Sequence, residues 1–202
     1  MAVSNYAMSR LVADSNALSK IISTQSALSS VAGSTTAMNN IFNNRTALST
    51  VVNNTNAMNT ISGSSVAMNA VASSTVAIGA IASSTSAKNA VLASHIALDA
   101  LDRSPLAQTM SSAATVNGRG FVISYSVESY SNDYALGGYE VTIDSVVANL
   151  PATNCTGQYN MHKNASDSHK FFTSKIGLKF TIATINGYNS IPYGSMKYIL
   201  GT

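Results

Sequence analysis

Histidine, cysteine and carboxylate side chains carry most acid–base and ligand chemistry, and this 202-residue chain holds few of them. His162 and His169 flank Asp167 in the polar stretch 161–169, which reads as a loop. A zinc site needs a better-defined ligand set than two histidines and an aspartate, so they read as solvated loop residues. His95 reads as a surface residue of the first half. Glu128, Asp133, Glu140 and Asp144 are the carboxylates from which a glycosidase pair would be drawn. Their spacing specifies no such pair, and surface carboxylates are the expectation. Cys155 stands alone, which excludes an intrachain disulfide or a cysteine zinc cage and suits a partly buried thiol. Phosphate-loop, nucleophile-elbow and metalloprotease signatures are absent. The expectation is a chain with no catalytic, metal or cofactor residues, and not an enzyme.

Binding chemistry is better represented. Eight of the nine tyrosines lie in the second half, and Tyr130, Tyr134, Tyr159, Tyr188 and Tyr193 sit in turn-like contexts. An apolar ring with a polar tip suits recognition of sugar or protein, so these five are the candidate ligand-binding residues. Tyrosines closing strand ends over a small core are the alternative.

The elements that must position such residues differ sharply between the two halves. Residues 1–110, written in rows of ten, align without an insertion, and the seventh column is alanine in every row from Ala7 to Ala107. The eighth column is Met, Leu or Ile from Met8 to Ile78, then Lys88, Leu98 and Gln108. The first column, after Met1, is Leu, Ile or Val from Leu11 to Leu101. Columns four to six are mostly Ser, Thr and Asn. Each unit has an apolar edge that it cannot bury alone, so stacking is implied.

The 3-4-3 spacing of the apolar columns suggests helix. Ten residues at 100° each fall about 80° short of three turns, too much for one ordinary supercoiled helix. Ser, Thr and Asn at the fourth column are natural N-caps, preceded by Gly33, Asn43, Asn53 and Gly63, where a helix can end. The expectation is a series of helices of two turns or less, restarted once per decad. Such helices are marginal alone, and the expected partner is another copy of the chain in a closed symmetric bundle. Ala57, Ala67, Ala77 and Ala87 are then trimer-packing positions in a parallel homotrimer. Methionines of the eighth column read as core filling. Lys88 and Gln108 read as the stalk loosening or changing register, and Pro105 as its end.

The period disappears after residue 115, and glycines punctuate runs rich in β-branched and aromatic residues. Residues 121–127, 139–147, 175–185 and 196–200 read as strands, and alternation favours antiparallel pairing in a sandwich or meander. The fold class expected is α+β: a rod of short repeated helices over 1–110, then a small antiparallel β domain over 111–202.

Composition narrows the partners. A net charge of +3 is too dilute for a nucleic-acid footprint. No apolar run is long enough to span a bilayer, and no secretory signal is visible, so synthesis in the cytoplasm is expected.

The tandem units "NTNAMNTISG", "SSVAMNAVAS" and "SSTVAIGAIA", followed by a Gly/Tyr-rich β segment, resemble the repeat regions of phage tail-fibre and related virion-fibre proteins. The resemblance covers the first 110 residues. It implies a homotrimeric virion protein made in the host cytoplasm, with a β domain for receptor binding or virion attachment. The implied partners are other copies, other virion proteins and a host cell-surface glycan, with no nucleic acid and no membrane. "SVAMNAVASSTVAIGAIASST" is also similar to the Ala-Ile-Gly repeats of bacterial trimeric adhesin heads, which is the alternative, although Gly follows the apolar pair only at Gly79.

Overall fold

A computed structural model of the protein describes residues 4–111, 114–131, 139–143, 146–150, 161–173, 175–179 and 191–202. Two units emerge: Met1–Ala107 together with Ile199–Thr202, and Gln108–Tyr198. The fold is α+β.

In the first unit ten repeats each make one short helix: α1 (Asn5–Ala13), α2 (Ser15–Ser23), α3 (Gln25–Ala32), α4 (Thr35–Phe42), α5 (Arg45–Val52), α6 (Thr55–Ser62), α7 (Ser65–Ala72), α8 (Thr75–Ser83), α9 (Thr85–Leu92) and α10 (His95–Asp102), while the last repeat, from Ser104, forms none and runs into a strand at Gln108. The fourth column breaks the helix, as its cap chemistry requires. Ser64 has extended backbone (φ −107°, ψ 116°), and its hydroxyl accepts from the Ala67 N–H at 3.3 Å. Asn44 and Asn54 do the same for the Ala47 and Ala57 amides at 3.0 and 2.9 Å. The cap's own N–H closes the turn behind it, as in Ser64 N–H to the Ile61 carbonyl at 3.0 Å. Each helix of eight or nine residues is only about 12 Å long, too short to persist unpacked.

The packing partner is the same chain, three decads away. Successive helices α7 and α8 meet at a bend of 102°, so three corners bring the chain close to a full turn. Accordingly α1 packs on α4, α4 on α7 and α7 on α10, with α3, α6 and α9 forming a second stack and α5 and α8 lying in the third. The repeat is a solenoid with three decads to a rung, which corrects the expectation that another copy supplies the core. Ala57, Ala67, Ala77 and Ala87 are at most 1% exposed within the single chain, so they pack between rungs and not between subunits.

The two edges of each helix face opposite ways along the stack. Columns one and seven are half-buried or exposed in the first rung (Leu11, Ile21, Val31, Ala7, Ala17, Ala27) and buried from Ala37 to Ala97 and from Ile41 to Leu101. Columns two and eight show the reverse: Met8, Val12, Leu18, Ile22, Leu28 and Ala32 are buried, while Lys88, Leu98 and Asp102 are half-buried and Leu92 is exposed. The first pair of columns therefore faces the preceding rung and the second pair the following one. This explains Lys88 without any loosening or change of register. The last three helices have no helical rung after them, so the eighth column is released from the apolar requirement there.

Ile78, on the same last rung, stays fully buried because residues 199–202 come to it. The Thr202 N–H donates to the Thr75 carbonyl at 3.0 Å, and the two threonine hydroxyls are 3.2 Å apart. Gly79 is the one ninth-column glycine, and a Cβ there would overlap the Thr202 backbone. A Cβ on Gly201 would likewise overlap Gly79 N and Cα. Two glycines facing each other thus allow backbone to lie directly on backbone.

The second unit is built from strands. One four-stranded sheet has the order β1 (Gln108–Met110), β8 (Ile191–Gly201), β3 (Arg119–Ser131), β6 (Met161–Phe172). The other has the order β2 (Ala114–Asn117), β7 (Lys175–Lys179), β4 (Tyr139–Ile143), β5 (Val146–Leu150). The β1–β8, β3–β6, β2–β7, β4–β5 and β4–β7 ladders are antiparallel. Phe121, Val122, Phe172 and Met196 are fully buried. The stretch 139–147 is two strands rather than one. The polar stretch 161–169 is strand rather than loop, because its backbone pairs along β3 from Ser131↔Met161 to Ser124↔Ser168. Backbone pairing overrode a polar sequence with little intrinsic strand signal.

Candidate interaction surfaces

The solenoid's polar columns are shared between rung closure and the outer surface. Ser64, Ser84 and Ser94 each cap their own helix and also donate back one rung, to the carbonyls of Ala32 at 2.7 Å, Val52 at 2.8 Å and Ser62 at 2.6 Å. Ser104 donates to the Ala72 carbonyl in the same way. One hydroxyl therefore satisfies an orphan amide at a helix start and a carbonyl at a helix end of the rung before. The tenth column faces the same way: Asn40 Nδ2 lies 2.6 Å from Asn5 Oδ1, and Gln25 Nε2 lies 3.1 Å from Thr60 Oγ1. Fourth- and tenth-column side chains thus point toward the preceding rung. Sequence reasoning found the caps but missed this second bond, and the serine column does not announce it, since Ser74 caps its helix without bonding back.

Between the first two rungs the surface folds into a shallow groove of about 360 Å³ lined by Ser19, Ile22, Ser23, Thr50, Asn54 and Asn56. No aromatic ring lines it, so it lacks the stacking platform that sugar recognition uses. Tyr6, Val66, Val76 and Leu92 are isolated exposed apolar residues.

In the second unit Tyr130 lies on β3 with its backbone opposite His162, and Tyr193 lies on β8. Tyr134, Tyr159 and Tyr188 lie outside the described residues, as do Asp133, Asp144 and Cys155. The structure thus places two of the five candidate tyrosines in one sheet and does not bring the five together. Glu128 (opposite Asn164) and Glu140 (opposite Lys179) fall in different sheets.

His169 is half-buried with its ring stacked 5.9 Å from that of Phe121, and its backbone is left-handed at φ 59°. The β3–β6 ladder skips the Ile123–His169 pair at that residue. Histidine is among the residues that tolerate this region. Lys170 Nζ lies 5.9 Å from the Tyr125 ring centre, at the outer limit of a cation–π contact. His95 is exposed on α10. Among the described residues no group of three or more His, Cys, Asp or Glu could hold a metal ion. Among them also, no single helix is long and apolar enough to cross a membrane.

No family model matches the chain, and no curated protein matches it.

Proposed function

We propose that this is a structural fibre protein of a phage virion, in which the solenoid is a spacer and the β unit binds a host receptor or another virion protein. The observation that carries the reading is the rung itself. Each rung buries its apolar columns against its neighbours and presents much the same Ser, Thr and Asn surface, which suits holding two things apart better than recognising one ligand. With helices spaced 8–10 Å, the rungs span roughly 30 Å, where one continuous helix of the same length would run about 150 Å. The spacer is short and stiff. Its core closes within one chain, so the homotrimer in this reading has no support from the alanine column and stands on the resemblance alone.

The adhesin alternative drew on Gly79 as part of an Ala-Ile-Gly motif. The Thr202 contact accounts for that glycine on other grounds.

Antibodies against the purified chain, applied to particles of the encoding phage, test the proposal by electron microscopy. Label on a fibre is the expected result. Particles that carry no label and contain no peptide of this chain would overturn it. Sedimentation of the purified chain tests the trimer separately.

A further inference from the structure

We infer that α1 and α2 form a hinged flap that opens from the stack as one unit at Thr24, while α3 and the later helices stay closed. Three observations meet at that corner. The first is the corner itself. Asp14, and every cap from Ser34 to Ser94, accepts a backbone N–H of its own helix with its side chain. Thr24 has the same extended backbone (φ −113°, ψ 105°) but makes no such bond. The corner between α2 and α3 therefore lacks the bond that fixes the later ones.

The second is the bonding between rungs. Ser64, Ser84, Ser94 and Ser104 donate to the carbonyl 32 residues earlier, and the first such carbonyl is Ala32, in α3. The corresponding carbonyls of α1 and α2 are Val12 and Ile22. Opposite them stand Asn44 and Asn54, whose side chains bond only to the amides of their own helices. The tenth column divides the same way. Asn40 is joined to Asn5 and Thr60 to Gln25, but the Thr50 hydroxyl between them donates within its own helix, to the Thr46 carbonyl. Among the described residues, α3 is thus pinned at both ends, α1 by one exposed amide pair, and α2 by no side-chain hydrogen bond to the next rung.

The third is the groove between the first two rungs. Ser19, Ile22 and Ser23 of α2 form one side of it, and Thr50, Asn54 and Asn56 the other, so packing is open where the bonds are missing.

What closes the flap is its apolar edge. Met8, Val12, Leu18 and Ile22 are buried on it, over Ile41 and Val51 of the next rung, so the closed state is favoured and the open one is a minor state that recloses. Helices this short do not persist alone, so the opened flap exchanges its amides as unfolded chain.

Native-state amide exchange of the full chain tests the hinge. Residues 5–23 should exchange as one block, about tenfold or more faster than residues 25–32, with the step at Thr24. Ser64→Ala removes the pin on Ala32 and should carry α3 into the block, moving the step to Gly33. Asn44→Ser and Asn54→Ser together keep a cap-forming residue and supply the missing donors. They should slow the block by about fivefold or more and leave residues 75–102 unchanged. A rate that falls smoothly from residue 5 overturns the inference, because it marks fraying without a hinge, and so does a step at Gly33 in the parent chain. A step that Ser64→Ala does not move, or a block that the two serines do not slow, overturns it equally. None of these outcomes depends on whether the protein is a virion fibre.

Discussion

Ser84 shows how much one small side chain holds in this fold. It is buried, accepts from the Ala87 N–H at 3.4 Å and donates to the Val52 carbonyl at 2.8 Å. Ser84→Ala removes a cap and the shorter of two bonds to the Val52 carbonyl, which the Ser86 hydroxyl still reaches at 3.2 Å, and should cost about 0.5–2 kcal/mol in denaturant unfolding. Ala77 is 1% exposed between rungs, so Ala77→Leu should lower the stability of the single chain by roughly 1–3 kcal/mol, whatever its oligomeric state. Unchanged unfolding of either variant would count against the rung packing described. Gly79→Ala poses a balance of two effects. Alanine gains about 1 kcal/mol of helix propensity, while uncovering Ile78 forfeits about 1–2 kcal/mol. The expected result is a small net change in stability together with fast amide exchange at Thr202, whose N–H now bonds to Thr75. Slow exchange at Thr202 in the alanine variant would show that the glycine pair is not needed.

At the scale of the element, one column carries different demands in different rungs. Met58 and Lys88 both stand in the eighth column, but Met58 is 1% exposed under the next rung and Lys88 is half-buried on the last one. Met58→Lys buries an amine among apolar side chains and should cost several kcal/mol, enough to unfold neighbouring rungs. Lys88→Met should change stability by no more than about 0.5 kcal/mol. Thermal unfolding of the two variants checks the pair, and equal losses would mean that the last rung is covered as the others are.

For the whole molecule, rung-on-rung packing means that stability is a sum over nearest neighbours. Deleting residues 44–53 removes one decad and leaves every later column in phase, so the chain should still unfold cooperatively at a lower midpoint. Deleting residues 44–48 alone should collapse the helical signal, because half a decad turns the apolar columns away from their neighbours. Far-ultraviolet circular dichroism during heating distinguishes the two. A half-decad deletion as stable as the full one would rule out a register set by the ten-residue period.

Local structure was legible because its causes sit within one decad: Ser, Thr or Asn at the fourth column, alanine at the seventh, apolar residues at the first and eighth. Those spacings place a cap and two packing edges without reference to anything distant, and they gave a helix restarting every ten residues. The partner of each edge was not legible. It depends on the corner angle, 102° between α7 and α8, which brings the chain back on itself after three decads and so makes the core intrachain. The same return decides what Lys88 and Gly79 mean, since one stands where the helical rungs stop and the other where residues 199–202 come back. The polar stretch 161–169 became a strand for a separate reason, a pairing with β3 that its own residues do not announce. Hydrogen-bond caps act over three residues and are written in the sequence; which surface closes over an apolar edge is set by geometry accumulated over thirty, and only the folded chain sums it.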